Sequence, residues 1–209
     1  MPLSESSPDW DSLYREEHTP WDRGDPAPPL LEWLASRPGA VTGRVLVPGC
    51  GRGHDVRALA SQPGVEEVVG LDFSPTAVSL ASALSRFASE RYVLGDLFAL
   101  EDSHRGGYEW IWEHTCFCAI DPARRVDYVS SVHSALRPGG SLLGVFYLDP
   151  YDDEHQPGEG PPHGSTLEEL AALFEGEGHF KIEESFVPAN AFPGREGKER
   201  IVKMRRLPA

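Results

Sequence analysis

Residues 44–60, RVLVPGCGRGHDVRALA, constrain the fold more than any other stretch of the chain. Val45, Leu46 and Val47 form a short apolar run that ends at Pro48 and reads as a buried strand. Glycines follow at 49, 51 and 53. Val56, Leu59 and Ala60 then recur at helical spacing. A strand that enters a helix through a glycine turn is the opening unit of a doubly wound α/β sheet. Glycine at every second place of that turn implies a tight backbone path with a ligand close by.

The strand–helix alternation continues. Strands are expected at EEVVGLD (66–72), RYVLGD (91–96), YEWIWEH (108–114) and SLLGVFY (141–147), and two more near 180–187 and 200–206. Helices are expected around 30–35, over 54–60, over 74–88 and over 121–136. Ser74 and Asp121 serve as N-caps, with Pro75 and Pro122 at the first helical position. Val126, Val129, Val132 and Leu136 form one apolar stripe, closed by RPGG. A last helix opens on a capping box of Ser165 and Glu168, with Leu167, Leu170, Ala171 and Phe174 at helical spacing. The predicted fold is α/β. It is a Rossmann-like three-layer sandwich whose seven-stranded, mostly parallel sheet carries an antiparallel edge hairpin. The 209 residues read as a single domain, with 1–43 an N-terminal arm and lid and 44–209 the α/β core. The Gly/Pro-rich loop 149–164 is expected to overhang the strand ends as an acceptor-side lid, its acids Asp149, Asp152, Asp153, Glu154 and Glu159 solvated.

A formal net charge of −14 argues against a nucleic-acid partner, which would need a basic patch. No stretch approaches the roughly 18 apolar residues of a membrane span. MPLSESSPDW lacks the basic and apolar regions of a secretory signal. Cys50, Cys116 and Cys118 are too few for a disulfide framework, and Cys116 and Cys118 are expected as buried free thiols. The expectation is a cytoplasmic protein, monomeric because no apolar helix is left over, acting on a small molecule without a membrane.

Asp72 follows Gly53 by 19 residues and ends the second strand, where a carboxylate can accept both hydroxyls of a ribose. The pair points to an adenosine-containing cofactor. A dinucleotide fingerprint would read G-x-G-x-x-G, with pyrophosphate on the helix N-terminus. Here the glycines read G-x-G-x-G, and His54 and Asp55 follow. An acid at that place suits a cationic, amino-bearing ligand without phosphate, such as S-adenosyl-L-methionine. Asp96 in LGDLF ends the third strand, either facing an adenine amino group or capping a turn. His54, Asp55 and Asp72 lack a second His or Cys at ligand spacing, so no metal site is expected.

Four segments give the chain a family resemblance: TPWDRGDPAPPL (19–30), LVPGCGRGHDVRALA (46–60), GLDFSPTAV (70–78) and WIWEHTCFCAIDPARR (110–125), supported by LRPGG and GPPHG. The chain resembles class I S-adenosylmethionine-dependent methyltransferases. More narrowly, from about Trp10 to the last strands, it resembles the thiopurine methyltransferase family in its halide, thiocyanate and thiol methyltransferase branch. The resemblance implies a cofactor shell of Trp10, Tyr14 and Trp21 from the arm, with Gly49, Asp72, Asp96 and Leu97. Gly51, Gly53, Asp55, Phe73 and His114 complete the expected set. Trp10, Tyr14 and Trp21 would share one face if helical, either lidding the cofactor or packing as an ordinary stripe. His114 and His163 stand where the branch often has tyrosine, and Glu113 where it commonly has aspartate. Cys116 replaces a usual aromatic, which would widen an acceptor pocket formed with Phe117 and His163.

The implied activity is transfer of a methyl group to a soft nucleophile such as a thiol, thiocyanate, hydrosulfide or halide. S-Adenosyl-L-homocysteine is the product. Glu113 and His114 are the candidates to orient or deprotonate a thiol, or else contact the cofactor. The alternatives are an oxygen- or nitrogen-directed methyltransferase of the same fold, a non-catalytic binder of the same cofactor and, more remotely, an NAD-dependent oxidoreductase.

Overall fold

The computed structural model describes residues 8–151, 159–176 and 178–208. Its strands are β1 Gly43–Pro48, β2 Val65–Asp72, β3 Glu90–Leu94, β4 Tyr108–His114, β5 Leu136–Tyr147, β6 Phe180–Phe186 and β7 Glu199–Arg206. The helices are α1 Trp10–Arg15, α2 Pro28–Ser36, α3 His54–Ala60, α4 Pro75–Ala83, α5 Arg125–Ala135 and α6 Leu167–Glu175. One sheet runs in the order β3-β2-β1-β4-β5-β7-β6. Pairing is parallel from β3 across to β5 and antiparallel for β5–β7 and β7–β6. This is the expected mostly parallel sheet, with β7 slotted between β5 and β6.

Alternate residues of each central strand feed opposite cores. Leu46, Ile111 and Leu142 pack with Tyr128, Val132 and Phe174 on one side of the sheet. Val45, Val47, Trp112 and Leu143 pack with Leu30, Trp33, Val56 and Leu59 on the other. Each large apolar side chain buried this way contributes about 1.5–3 kcal/mol. Exposed ion pairs such as Arg91–Glu67 contribute about 0.2–1 kcal/mol. The two cores therefore set where the strand ends lie.

The expected elements are present, but several boundaries move. α4 stops at Ala83, short of the helix expected to residue 88. Asp121 caps a 3-10 turn, Pro122–Arg124, and the α-helix begins one turn later. Val126, expected on the buried stripe, is 57% exposed. Arg125 turns inward instead, binding Glu169 at 2.6 Å and the carbonyls of His163 and Gly164 at 3.2 and 2.9 Å. RPGG, expected to close the helix, already belongs to β5; left-handed Gly139 sits in the irregular stretch before Ser141 pairs with Trp110. Thr166, not Ser165, caps α6 by accepting from the Glu169 amide. Of the loop expected over 149–164, residues 152–158 lie outside the described residues, and with them Asp152, Asp153 and Glu154.

The chain winds β1, β2, β3 towards one edge and returns to β4 and β5 on the other side of β1. The order reverses between β1 and β4. A crevice for ligands opens there, at the carboxyl ends marked by Pro48, Asp72 and His114.

Candidate active site

The turn between β1 and α3 is left-handed at Gly49, Gly51 and Gly53, with φ of 58°, 52° and 73°. Much of what crowds it is protein. A Cβ at Gly51 would stand 2.7 Å from the Tyr14 hydroxyl oxygen. A Cβ at Gly49 would stand 3.1 Å from the Cys116 side chain. Two of the turn's glycine amides are also committed: Gly51 N donates to Asp72 Oδ2 at 2.9 Å, and Gly53 N to the Cys50 carbonyl at 2.9 Å. A pyrophosphate would need such donors free. The turn suits a ligand without phosphate.

The arm is fastened over this turn. α1 is too short to carry Trp21, so the three aromatics do not share one helix face as expected. They meet through the loop instead. Trp21 stands edge-on to Trp10 and to Tyr14, with ring centroids 5.1 and 5.8 Å apart. Its indole donates to the Tyr14 hydroxyl at 3.2 Å. Asp22, the last residue of TPWD, binds Arg52 at 2.9 Å and His54 at 3.1 Å on the turn. Asp11 accepts from the Ser74 hydroxyl at 2.7 Å and the Thr76 amide at 3.0 Å, which holds its carboxyl below the ordinary range.

Asp72 sits buried at the end of β2. Burial raises its pKa, offset only in part by the amides of Ser74, Gly51 and Phe73. Phe73 is exposed, and so is Asp96, which caps the 3-10 turn Leu97–Ala99 through the Phe98 amide; Leu97 is buried.

The end of β4 is the most constrained part of the crevice. Glu113, a candidate to orient or deprotonate a thiol or else to contact the cofactor, points into the protein. It accepts from the Cys116 and Phe117 amides at 3.0 and 2.7 Å and from the Tyr128 hydroxyl. Burial pushes its carboxyl up against those donors. The pull on the two amides folds the chain back sharply, and Thr115 takes φ 62°. That conformation is costly for a β-branched residue and is found mostly where function demands it. His114 is thereby held in the crevice. Its Nδ1 lies 3.0 Å from Asp55 Oδ2, while its Nε2 is buried with no hydrogen-bond partner among the described residues. Asp55, expected against the cofactor, spends its oxygens on protein: Ala27 N at 2.7 Å, Trp112 Nε1 at 2.8 Å and His114. Burial alone would raise its pKa, but His114, Ala27 and Trp112 bring it below the ordinary value.

Cys116 is half-buried against Gly49. Phe117, expected beside it, is a core residue instead, edge-on to Tyr128 and Phe146 and beneath the Arg125 guanidinium. His163 is half-buried, and its amide donates to the Cys118 carbonyl at 2.7 Å.

Sequence reasoning missed Asp22 and Arg52 as a latch, Thr115 as a strained hinge, and the loop 187–198. Because β7 runs antiparallel to β5, Glu199 lies opposite Tyr147, and the loop before it reaches the carboxyl ends of the parallel strands. From it Phe192 stacks near the His114 ring, 6.3 Å between centroids at 22°. Arg195 lies over Tyr147 and pairs with buried Glu199 at 3.0 Å. The Pro/Gly-rich AFPGREG between the last two strands was the available signal. A separate groove of about 500 Å³, lined by Pro26, Leu31, Ala58, Leu84 and Phe87, contains none of the expected site residues.

A glycine turn whose Gly51 and Gly53 amides are taken by protein acceptors, a buried acid ending β2 and an aromatic arm over both fit a Rossmann-like S-adenosylmethionine-dependent methyltransferase. The residues fit that cofactor. The solved structure of 1,6-didemethyltoxoflavin-N1-methyltransferase from Burkholderia thailandensis, with bound 1,6-didemethyltoxoflavin and S-adenosylhomocysteine, shares the fold. Its TM-score is 0.69 at 23% identity, over 96% of this chain and 86% of that one.

 

A family-wide profile described as thiopurine S-methyltransferase matches residues 5–205. Thiocyanate methyltransferase 1 of Arabidopsis thaliana is 35% identical over 95% of this chain and 84% of its own length. Probable thiol methyltransferase 2 of the same plant is 34% identical over 78% of this chain and 70% of its own length. The chain belongs to the thiopurine S-methyltransferase family. Among the described residues, no helix is long and apolar enough to cross a membrane.

Proposed function

We propose that this methyltransferase transfers the methyl group to a small soft nucleophile, a thiol, hydrosulfide, thiocyanate or halide. The observation that carries the reading is the end of β4. The two carboxylates there, Glu113 of β4 and Asp55 of α3, are both spent on protein donors. What remains towards the crevice is soft and weakly hydrated: the Cys116 side chain, the His114 imidazole and the Phe192 ring. Such a lining strips water from a polarizable nucleophile, which raises its reactivity. Likeness to thiocyanate and thiol methyltransferases supports the same reading.

S-Adenosyl-L-methionine supplies a methyl carbon activated by an adjacent positive sulfur. Asp72 binds the ribose hydroxyls, and Asp96 and Leu97 flank the adenine. Gly49 and Gly51 let the ligand lie against the backbone, while Trp10, Tyr14 and Trp21 cover it and exclude water. Cys116 and His163 border the acceptor. Holding the nucleophile in line can supply about 7–11 kcal/mol of the barrier. The chain works as one catalytic unit, with 1–43 as the lid, as a cytoplasmic monomer without nucleic acid.

The test compares S-adenosyl-L-homocysteine release with thiophenol and with phenol, which differ only in the acceptor atom. Turnover of thiophenol alone is expected. Preference for phenol would move the reading to an oxygen-directed enzyme.

A further inference from the structure

We propose that His114 is the proton acceptor for a protic sulfur substrate, a thiol or hydrosulfide, and that Asp55 is the positioning residue that fixes it in that role. The inference rests on the soft-nucleophile reading above and narrows it.

Three donors converge on Asp55. The Trp112 indole and the Ala27 amide can only donate, at 2.8 and 2.7 Å. Asp55 therefore acts as an acceptor on both oxygens, and the His114 Nδ1 facing Oδ2 at 3.0 Å carries the hydrogen. The Nε2 lone pair is left as the free end of the imidazole. That nitrogen is buried without a partner among the described residues. A buried acceptor left unpaired is unfavourable, and a bound S–H satisfies it. Trp112 and Phe192 flank the imidazole, each with its ring centroid 6.3 Å away. The charged groups facing it are Asp55 from α3 and Glu113 beside it on β4. Glu113 is excluded as the base because its oxygens hold the Cys116 and Phe117 amides and the Tyr128 hydroxyl.

In the step, the S–H proton passes to Nε2 and a sulfur electron pair forms the new S–C bond. The bond from the methyl carbon to the donor sulfur breaks, its electrons staying on that sulfur as a neutral thioether. The imidazolium is paired with the Asp55 carboxylate until it returns its proton to solvent. A halide brings no proton, and the bare lone pair repels it. Halide transfer is therefore favoured by the protonated ring, and thiol transfer by the neutral one.

The first readout needs no turnover. An aromatic thiol is titrated against the complex with S-adenosyl-L-homocysteine, following thiolate absorbance. The bound thiol should ionise at lower pH than the free one, and His114→Gln should abolish the difference. The second readout is the pH dependence of kcat/KM for the wild-type protein. An alkyl thiol should rise to a plateau with pH while iodide falls. His114→Gln should cut the thiol-to-iodide ratio by about 10²-fold or more. Asp55→Asn, which puts a donor opposite Nδ1, should distort the thiol profile while product affinity is kept. Parallel profiles, or a thiolate signal unchanged in His114→Gln, overturn the role of His114 alone. A protein that binds the product but methylates no sulfur acceptor overturns the soft-nucleophile reading as well.

Discussion

Gly51→Ala tests how tightly the arm and the glycine turn are fitted. The residue sits at φ 52°, where an L side chain costs about 1–2 kcal/mol. Its new Cβ would meet the Tyr14 oxygen at 2.7 Å, while the next ring atom is 3.9 Å away. Moving that hydroxyl also breaks its bond to Trp21, worth about 0.5–1.5 kcal/mol. The total is about 1.5–3.5 kcal/mol, a fall in Tm of roughly 3–14 °C for a chain this size. Tyr14→Phe removes the clashing atom but leaves the backbone strain. In a double-mutant cycle read by thermal unfolding, the double variant should be more stable than the sum of the singles predicts, by about 0.5–1.5 kcal/mol. Additivity within about 0.3–0.5 kcal/mol would refute the claimed contact.

Two further outcomes follow from the same geometry. Asp72→Ala should weaken S-adenosyl-L-homocysteine binding by at least 10-fold, on the scale of about 1.5–3 kcal/mol for a charged hydrogen bond, and calorimetry showing unchanged affinity would remove Asp72 from the ribose site. His133, pushed down to about 4 from 6.5 by burial and then by Arg206 and His179, is neutral in the fold. As pH falls from 6.5 towards 4 the unfolded chain takes up that proton first, so stability present above 6.5 is lost across the window. Denaturant midpoints should show this slope, and His133→Gln should flatten it; equal slopes would count against the assignment.

The parts of the fold that were legible in the sequence are those set by local pattern. The 3.6-residue spacing of Val56, Leu59 and Ala60 gave α3 its observed limits, and the run YEWIWEH gave β4 its own. Caps were legible only to within a turn. Ser165 and Thr166 are both capable acceptors, and tertiary placement decides between them. Arg125 and Val126 exchanged places because a buried arginine answers carbonyls at His163 and Gly164, far along the chain. The site divides in the same way. Glycines and Asp72 announce themselves by spacing. The partners of Asp55 lie 28, 57 and 59 residues away, so no local pattern reveals that it holds His114. Phe192 was invisible because its relevance depends on β7 running antiparallel to β5.

The most direct measurement follows an isotopically labelled methyl group from S-adenosyl-L-methionine into hydrosulfide, with the purified protein and detection of the volatile product. Labelled methanethiol, formed stoichiometrically with S-adenosyl-L-homocysteine, is the predicted result. A protein that binds the cofactor yet gives no labelled sulfide, with hydrosulfide or with a simple thiol, would contradict the account.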